Sequence, residues 1–217
     1  MLPFVRAQEG KIILKEPFSY PDGKLPSSWW SEGCSAEIKD GHLFVDADTA
    51  SYRAATVWFD RELSGDLRIE FDVHIVSSND KANNINCFFM YSDPRGSHLR
   101  ETSNERLTGK YLLYHELNGY IFTNVANGDE SNVRFRLRDN PGFHLLNENY
   151  CGKNKIGKTY HIKIEKKGNH FQYWNEGKKI IDTTDQNFNP LYCNGLFGFR
   201  TWHTALWWDN LVIIQLH

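Results

Sequence analysis

Three arginines alternate with apolar residues in the stretch VRFRLR at 133–138, and His144 follows a Pro-Gly turn a few residues later. On a strand, Arg134, Arg136 and Arg138 share one face, with Val133, Phe135 and Leu137 on the other. A guanidinium is a planar fork of donors that grips a carboxylate at two points. Nearby stand Tyr114, His115 and Tyr120. Cleaving a glycosidic bond beside a uronate by β-elimination needs a base at C5, a cation to neutralise the charge developing on the carboxylate, and an acid for the departing oxygen. These residue types supply all three. Arg134 and Arg136 hold the carboxylate, with Arg138 beside them, His115 or Tyr114 is the base, and His144 or Tyr120 the acid. The competing reading pairs the arginines with the chain's own Glu and Asp and makes each histidine a hydrogen-bonded sheet residue.

Further candidates surround this set. Arg200, Trp202 and His203 lie close together in GFRTWH, and Trp58 alternates with Val57 and Phe59 in a way that points it away from the core. Aromatic rings stack on the C–H faces of sugars, although they also fill sandwich cores. Asn86, Asn124 and Asn127 offer the paired donor and acceptor that suit sugar hydroxyls. In IEFDVHIV, Glu70, Asp72 and His74 share a face. Two carboxylates so placed could run a retaining glycoside hydrolysis. They are also available as partners for the arginines. Binding without cleavage is the alternative next after elimination, and hydrolysis by Glu70 and Asp72 the third.

The elements that must position these groups are strands. β-Branched and aromatic runs recur at KIIL (11–14), HLFV (42–45), ATVWF (55–59), 66–76, 85–92, 110–115, 120–125, 133–138, 159–167, 170–176, 178–183, 196–201 and 205–216, separated by loops rich in Asn, Asp, Gly and Ser. No helix stands out. A dozen short strands predict an all-β jelly-roll sandwich of two antiparallel sheets, with residues 11–217 as one domain and the arginines on its concave sheet. Residues 159–183 read as a three-strand meander, followed by two closing strands. Gly195 and Gly198 mark places where backbone approaches a neighbour closely.

With 217 residues and 40% apolar composition, a sizeable core is available, and the seven Trp, ten Tyr and fourteen Phe enrich it in aromatics. The net charge of −2 argues against nucleic acid as a partner. No apolar run is long enough to span a bilayer. The opening MLPFVRAQEG (1–10) reads as the tail of a signal peptide, implying a periplasmic or secreted bacterial protein, or else as a frayed terminus. The four cysteines, Cys34, Cys87, Cys151 and Cys193, permit disulfides, but Cys87 lies in a buried-looking strand and nothing has zinc-ligand spacing. No cofactor is expected. A structural Ca2+ could be held by loops such as 126–130, which lack EF-hand spacing. Serine-hydrolase, nucleotide and zinc-protease motifs are absent.

The meander followed by GLFGFRT and WWDNLVI resembles the concanavalin-like lectin/glucanase jelly rolls. The run from TVWFDRELSGDLRIEFDV through NINCFFMYSDP, LTGKYLLYHELNGYIFTN and RFRLRDNPGFHLL to GFRTWH resembles the YesU-like family of bacterial proteins of unassigned function. That family is associated with polysaccharide utilisation, so the resemblance implies a glycan ligand. Retaining glucanases of the concanavalin-like fold carry three acids at alternating positions. His74 stands where the third would be, which counts against that chemistry here.

Overall fold

The computed structural model describes residues 10–217, and these form two stacked antiparallel sheets. The proposed leader remnant lies outside the described residues except for Gly10, which already pairs with Leu216.

The first sheet comprises β1 (Gly10–Glu16), β3 (Ala36–Lys39), β4 (His42–Asp46), β7 (Leu67–Ser77), β12 (Thr159–Lys167), β13 (His170–Asn175), β14 (Lys178–Thr184) and β16 (Ala205–Leu216). Its order is β14-β13-β12-β7-β16-β4-β3, with β1 also on β16. The second comprises β2 (Trp29–Gly33), β5 (Ala54–Phe59), β6 (Leu63–Ser64), β8 (Ile85–Ser92), β9 (Asn118–Val125), β10 (Arg134–Asn140), β11 (His144–Tyr150) and β15 (Asn194–Trp202). It runs β11-β10-β9-β8-β15-β5-β2, with β6 also on β15. The expected meander is β12 to β14, and the two closing strands enter opposite sheets.

Period-two alternation sets which residues meet between the sheets. Ile69, Phe71, Val73 and Ile75 of β7 pack in the main core with Cys87 and Phe89 of β8, Phe135 and Leu137 of β10, and Phe197 and Phe199 of β15. Gly198 faces outward, where a Cβ would stand 2.6 Å from the Trp58 ring, so only glycine lets β15 lie against that indole. All four cysteines are free thiols, with Cys34 and Cys87 buried.

The outer face of the second sheet carries a smaller core of its own. The segment 93–117 folds back over it, packing Leu99, Tyr114 and Leu117 against Trp30, Trp58, Phe88 and Ile121. Within this cover, Tyr111–Tyr114 is a 3-10 turn, not the strand expected over 110–115. The sequence YLLY explains the difference. A strand would put its two tyrosines on opposite faces, whereas a three-residue turn puts them on the same one. Both rings therefore point down onto Phe88, and Leu112 is left 75% exposed. The strands β2, β3, β6 and β11 also go beyond the sequence expectation. They are short or flank the sheets, where packing by neighbours outweighs local pattern.

Candidate functional site

A cavity of about 270 Å³ opens on the outer face of the second sheet, crossing β10, β9, β8 and β15. Arg134 and Arg136 form one end, Thr123, Val125 and Asn86 the floor, Arg200 and Trp202 the other end. Asn84 and Asn127 come from the adjoining loops, and Tyr111 is lowered in from the cover.

The electrostatics of this cavity are one-sided, since no Asp or Glu lines it. Among the described residues, Arg136 makes no hydrogen bond or ion pair, and its Nε is buried without a partner. Burial, and then Arg134 beside it, pull its pKa below the usual guanidinium range. Arg134 has only Glu148 of β11, 3.9 Å from its Nε and itself part-exposed. The expected carboxylates do not reach them. Glu70 and Asp72 lie on the outer face of the first sheet, where His161 sits 3.5 Å from Glu70 and 2.8 Å from Asp72. Asp139, on the same strand as the arginines, has the inward parity, opposite His144. Burial raises its pKa to about 6.

Arg200 is a buried cation of a different kind. Its two Nη atoms donate to Thr56 Oγ1 and to the Gly109 carbonyl, each at 2.9 Å, and its guanidinium lies 4.8 Å from the Tyr111 ring and 4.9 Å from that of Tyr114. It ties the cover to the sheet. Trp202 keeps 38% of its surface exposed and stacks on His203 at 4.1 Å, and His203 is held in turn by Asp80. His203 is thus a support for the indole, outside the cavity lining. Asn86 lines the cavity, with its Oδ1 accepting from Asn84 Nδ2 at 3.1 Å.

The other sequence candidates separate from this set. Arg138 curls away, donating to the Phe143 carbonyl at 2.7 Å with its guanidinium over that ring at 4.0 Å. Tyr114 is fully buried and donates to Glu32 at 2.9 Å, so it has no route to a ligand. Burial, then Glu32, push its pKa up. Trp58 does point outward, as its alternation requires, but the 93–117 cover buries it, and its Nε1 donates to Glu32 at 3.0 Å. Tyr120 and Asn124 sit at inward-facing positions, where Tyr120 donates to Asp185 at 2.7 Å and Asn124 accepts from Asn154. His144 stacks on Phe188 at 4.8 Å, at a position that faces away from the arginines. For Tyr120, Asn124 and His144 the reason is parity, because on a strand a shift of one residue decides which side of the sheet a side chain occupies.

His115 lies beside the site. It stacks on Phe143 at 3.9 Å and meets Tyr111 edge-on at 4.9 Å. Burial, then Arg200 and Arg138, lower its pKa to about 4, which keeps the imidazole neutral at neutral pH. Burial moves Tyr111 the other way, raising its pKa against the opposing pull of the arginines and of Thr123. His115 Nε2 is buried without a hydrogen-bond partner, and the buried Tyr111 hydroxyl has Thr123 as its polar neighbour but makes no well-formed hydrogen bond. Tyr111 is the residue that the sequence reading missed. The i, i+3 spacing of tyrosines in YLLY was the signal available. Among the described residues, no group of three His, Cys, Asp or Glu could hold a metal ion, and no helix is long and apolar enough to cross a membrane.

The same architecture occurs in solved structures of low sequence similarity. A Bacillus subtilis protein of unknown function with a galectin-like fold superposes with a TM-score of 0.80 at 18% identity, covering 96% of this chain and 97% of its own. The carbohydrate-binding module CBM66 from Bacillus subtilis gives 0.61 at 19% identity, over 87% of this chain and 96% of the module. The LamA catalytic domain from Zobellia galactanivorans gives 0.62 at 10% identity, over 95% and 98%. At these identities the likeness establishes the jelly-roll fold, as expected from the strand pattern. No curated protein matches the chain. A family model covers residues 49–211, which include β5, β15, the first part of β16 and every residue of the cavity, and the chain belongs to that family, described as a domain of unknown function (DUF6250).

Proposed function

We propose that the protein recognises an acidic, uronate-bearing glycan at the arginine cavity. The observation that carries this reading is the pair Arg134 and Arg136, which share one acid, Glu148 on the neighbouring strand: it stands 3.9 Å from Arg134 Nε, too far to hydrogen-bond, and makes no ion pair with the half-buried Arg136 guanidinium opposite it. A cation taken out of water without a partner is costly, and an anionic ligand restores the missing contact. Trp202, Asn86 and Thr123 add the ring face and hydroxyl-directed polar groups that sugars need. The glycan class is supported by the resemblance to the YesU-like family and by the fold shared with a carbohydrate-binding module. On this reading the protein works outside the cytoplasm, where polysaccharide is met. Calorimetric titration with oligogalacturonates and with neutral oligosaccharides of equal length tests the proposal. Saturable binding of the acidic series alone is expected, and equal binding of both series, or of neither, overturns it.

The unpartnered His115 Nε2 and the Tyr111 hydroxyl close to it favour a second reading, in which the bound uronate is cleaved by β-elimination. Neutral His115 takes the C5 proton, and the electron pair forms the C4=C5 bond as the C4–O bond breaks. Tyr111, kept protonated by burial, gives its proton to the leaving oxygen, while Arg134 and Arg136 hold the carboxylate. An ultraviolet-absorbing unsaturated product in the same incubations marks this activity. Binding with an intact glycan leaves recognition alone.

A further inference from the structure

The charge at the cavity exceeds what a single carboxylate balances. Arg134 and Arg136 line the β10 end and Arg200 the β15 end. Among the described residues, the one acid within ion-pair distance of any of the three is Glu148, 3.9 Å from Arg134 Nε and outside the lining. It offsets one guanidinium and leaves two. Donors are also left over at both ends. The Nε atoms of Arg136 and Arg200 are buried without a partner. Arg200 commits its Nη atoms to Thr56 and Gly109, so Nε is what it offers a ligand. Asn86 stands directly opposite Arg200 across the β8–β15 pair. Its Oδ1 accepts from the Asn124 backbone N–H at 3.3 Å and from Asn84 Nδ2 at 3.1 Å, which orients the amide and leaves its Nδ2 to the cavity. A guanidinium N–H beside an amide N–H suits the two oxygens of a carboxylate. Three interstrand gaps at about 4.8 Å separate β10 from β15, so the two cationic ends spread over about 14 Å of sheet, more than a single sugar covers.

We infer that the cavity binds a dianionic segment, with one carboxylate at Arg134 and Arg136 and a second at Arg200 and Asn86. This second anion site rests on the acidic-glycan reading above. A lone carboxylate at the β10 end leaves the Arg200 guanidinium buried and uncompensated, a cost that a second carboxylate removes. A neutral sugar at the β15 end could meet Nε with a hydroxyl but brings no counter-charge, and the contact is correspondingly weaker. The ligand class is therefore a glycan segment with at least two uronates, long enough to cross β9 and β8 between them.

The test is calorimetric titration of the full chain with three trisaccharides: trigalacturonate, and two derivatives methyl-esterified so that only the reducing-end or only the non-reducing-end uronate keeps its charge. Trigalacturonate is expected to bind more than about tenfold more tightly than either derivative, the worth of one further hydrogen bond between charged groups. A smaller gap, such as the roughly threefold that three equivalent carboxylates competing for one site give by statistics alone, overturns the two-carboxylate inference and leaves acidic recognition standing. Asn86→Asp sets an acid of the same shape beside Arg200 and supplies the missing counter-charge from within. It is expected to bring trigalacturonate down to the level of the derivatives, with a thermal midpoint no lower than before. A preference for trigalacturonate that survives Asn86→Asp overturns the second site at Arg200. Failure of all three trisaccharides to bind removes acidic recognition itself.

Discussion

Arg106 and Arg136 are both drawn over the outer face of the second sheet, yet their surroundings are opposite. Arg106 is 2% exposed, and its Nε and Nη2 bind both oxygens of Glu32 at 2.9 to 3.1 Å. Glu32 also accepts from Trp58 and Tyr114, so one carboxylate joins β2, β5 and the two 3-10 turns of the cover. Arg136 has no such acid. The contrast shows that burial of a cation is by itself no sign of a ligand. Between these two, what differs is whether the chain supplies a hydrogen-bonded counter-charge; Arg200, bonded to Thr56 and Gly109 but to no acid, stands between them.

The sharpest way to break the comparison is to unpair Arg106. Glu32→Gln leaves that guanidinium buried and uncompensated and is expected to cost about 3–5 kcal/mol of stability, measured by denaturant unfolding. A loss below about 1 kcal/mol would mean that water relieves the charge and that the two arginines are not so different. Arg136→Ala is expected to do the reverse. Thermal stability should stay level or rise as repulsion from Arg134 is relieved. Affinity for oligogalacturonate should fall about ten- to a hundredfold.

The pH dependence of folding comes next in size. The native His115 imidazole resists protonation until about pH 4, whereas an unfolded histidine takes a proton near 6.5. The unfolded state therefore binds more protons in that interval. The contribution of His115 to stability is fully present above about pH 6.5 and is lost as pH falls toward 4. His115→Phe should flatten that part of the stability–pH curve, and an unaltered slope would place the proton uptake elsewhere. The smallest effect is expected from Glu148→Gln. An exposed pair of this kind is worth about 0.2–1 kcal/mol, so freeing Arg134 should raise acidic-glycan affinity by about two- to threefold with little change in midpoint. A fall in affinity would show that Glu148 orients Arg134 for the ligand and does not compete with it.

Much of the framework was legible in the chain. The alternation in VRFRLR fixed the arginines to one face, and IEFDVHIV placed Glu70, Asp72 and His74 on the outside of β7. The strands 85–92, 159–167 and 205–216 carry the bounds expected of them. The candidate site was legible only in part. Arg134, Arg136, Asn86, Arg200 and Trp202 meet in one cavity, but Tyr114, Tyr120, Asn124, Trp58 and His144 do not. For Tyr120 and Asn124 the cause is parity. Each sits one residue from Ile121 or Thr123, and the two sets face opposite sides of the sheet. For Trp58 and Tyr114 the cause is the 93–117 cover, whose turn brings Tyr111 to the cavity in place of Tyr114.

Local pattern, then, determined the strands, the faces of their side chains and the jelly-roll class, because a period of two and the burial of apolar residues act over a few neighbours. Which outward face stays open, which acid meets which arginine and which tyrosine reaches the cavity were decided by tertiary structure alone. Those outcomes depend on strands far apart in sequence, such as β10 and β15, lying in one sheet, and on a cover segment folding back over it. Charge neutralisation is a matter of distances of a few ångströms, and no local pattern fixes those between distant segments.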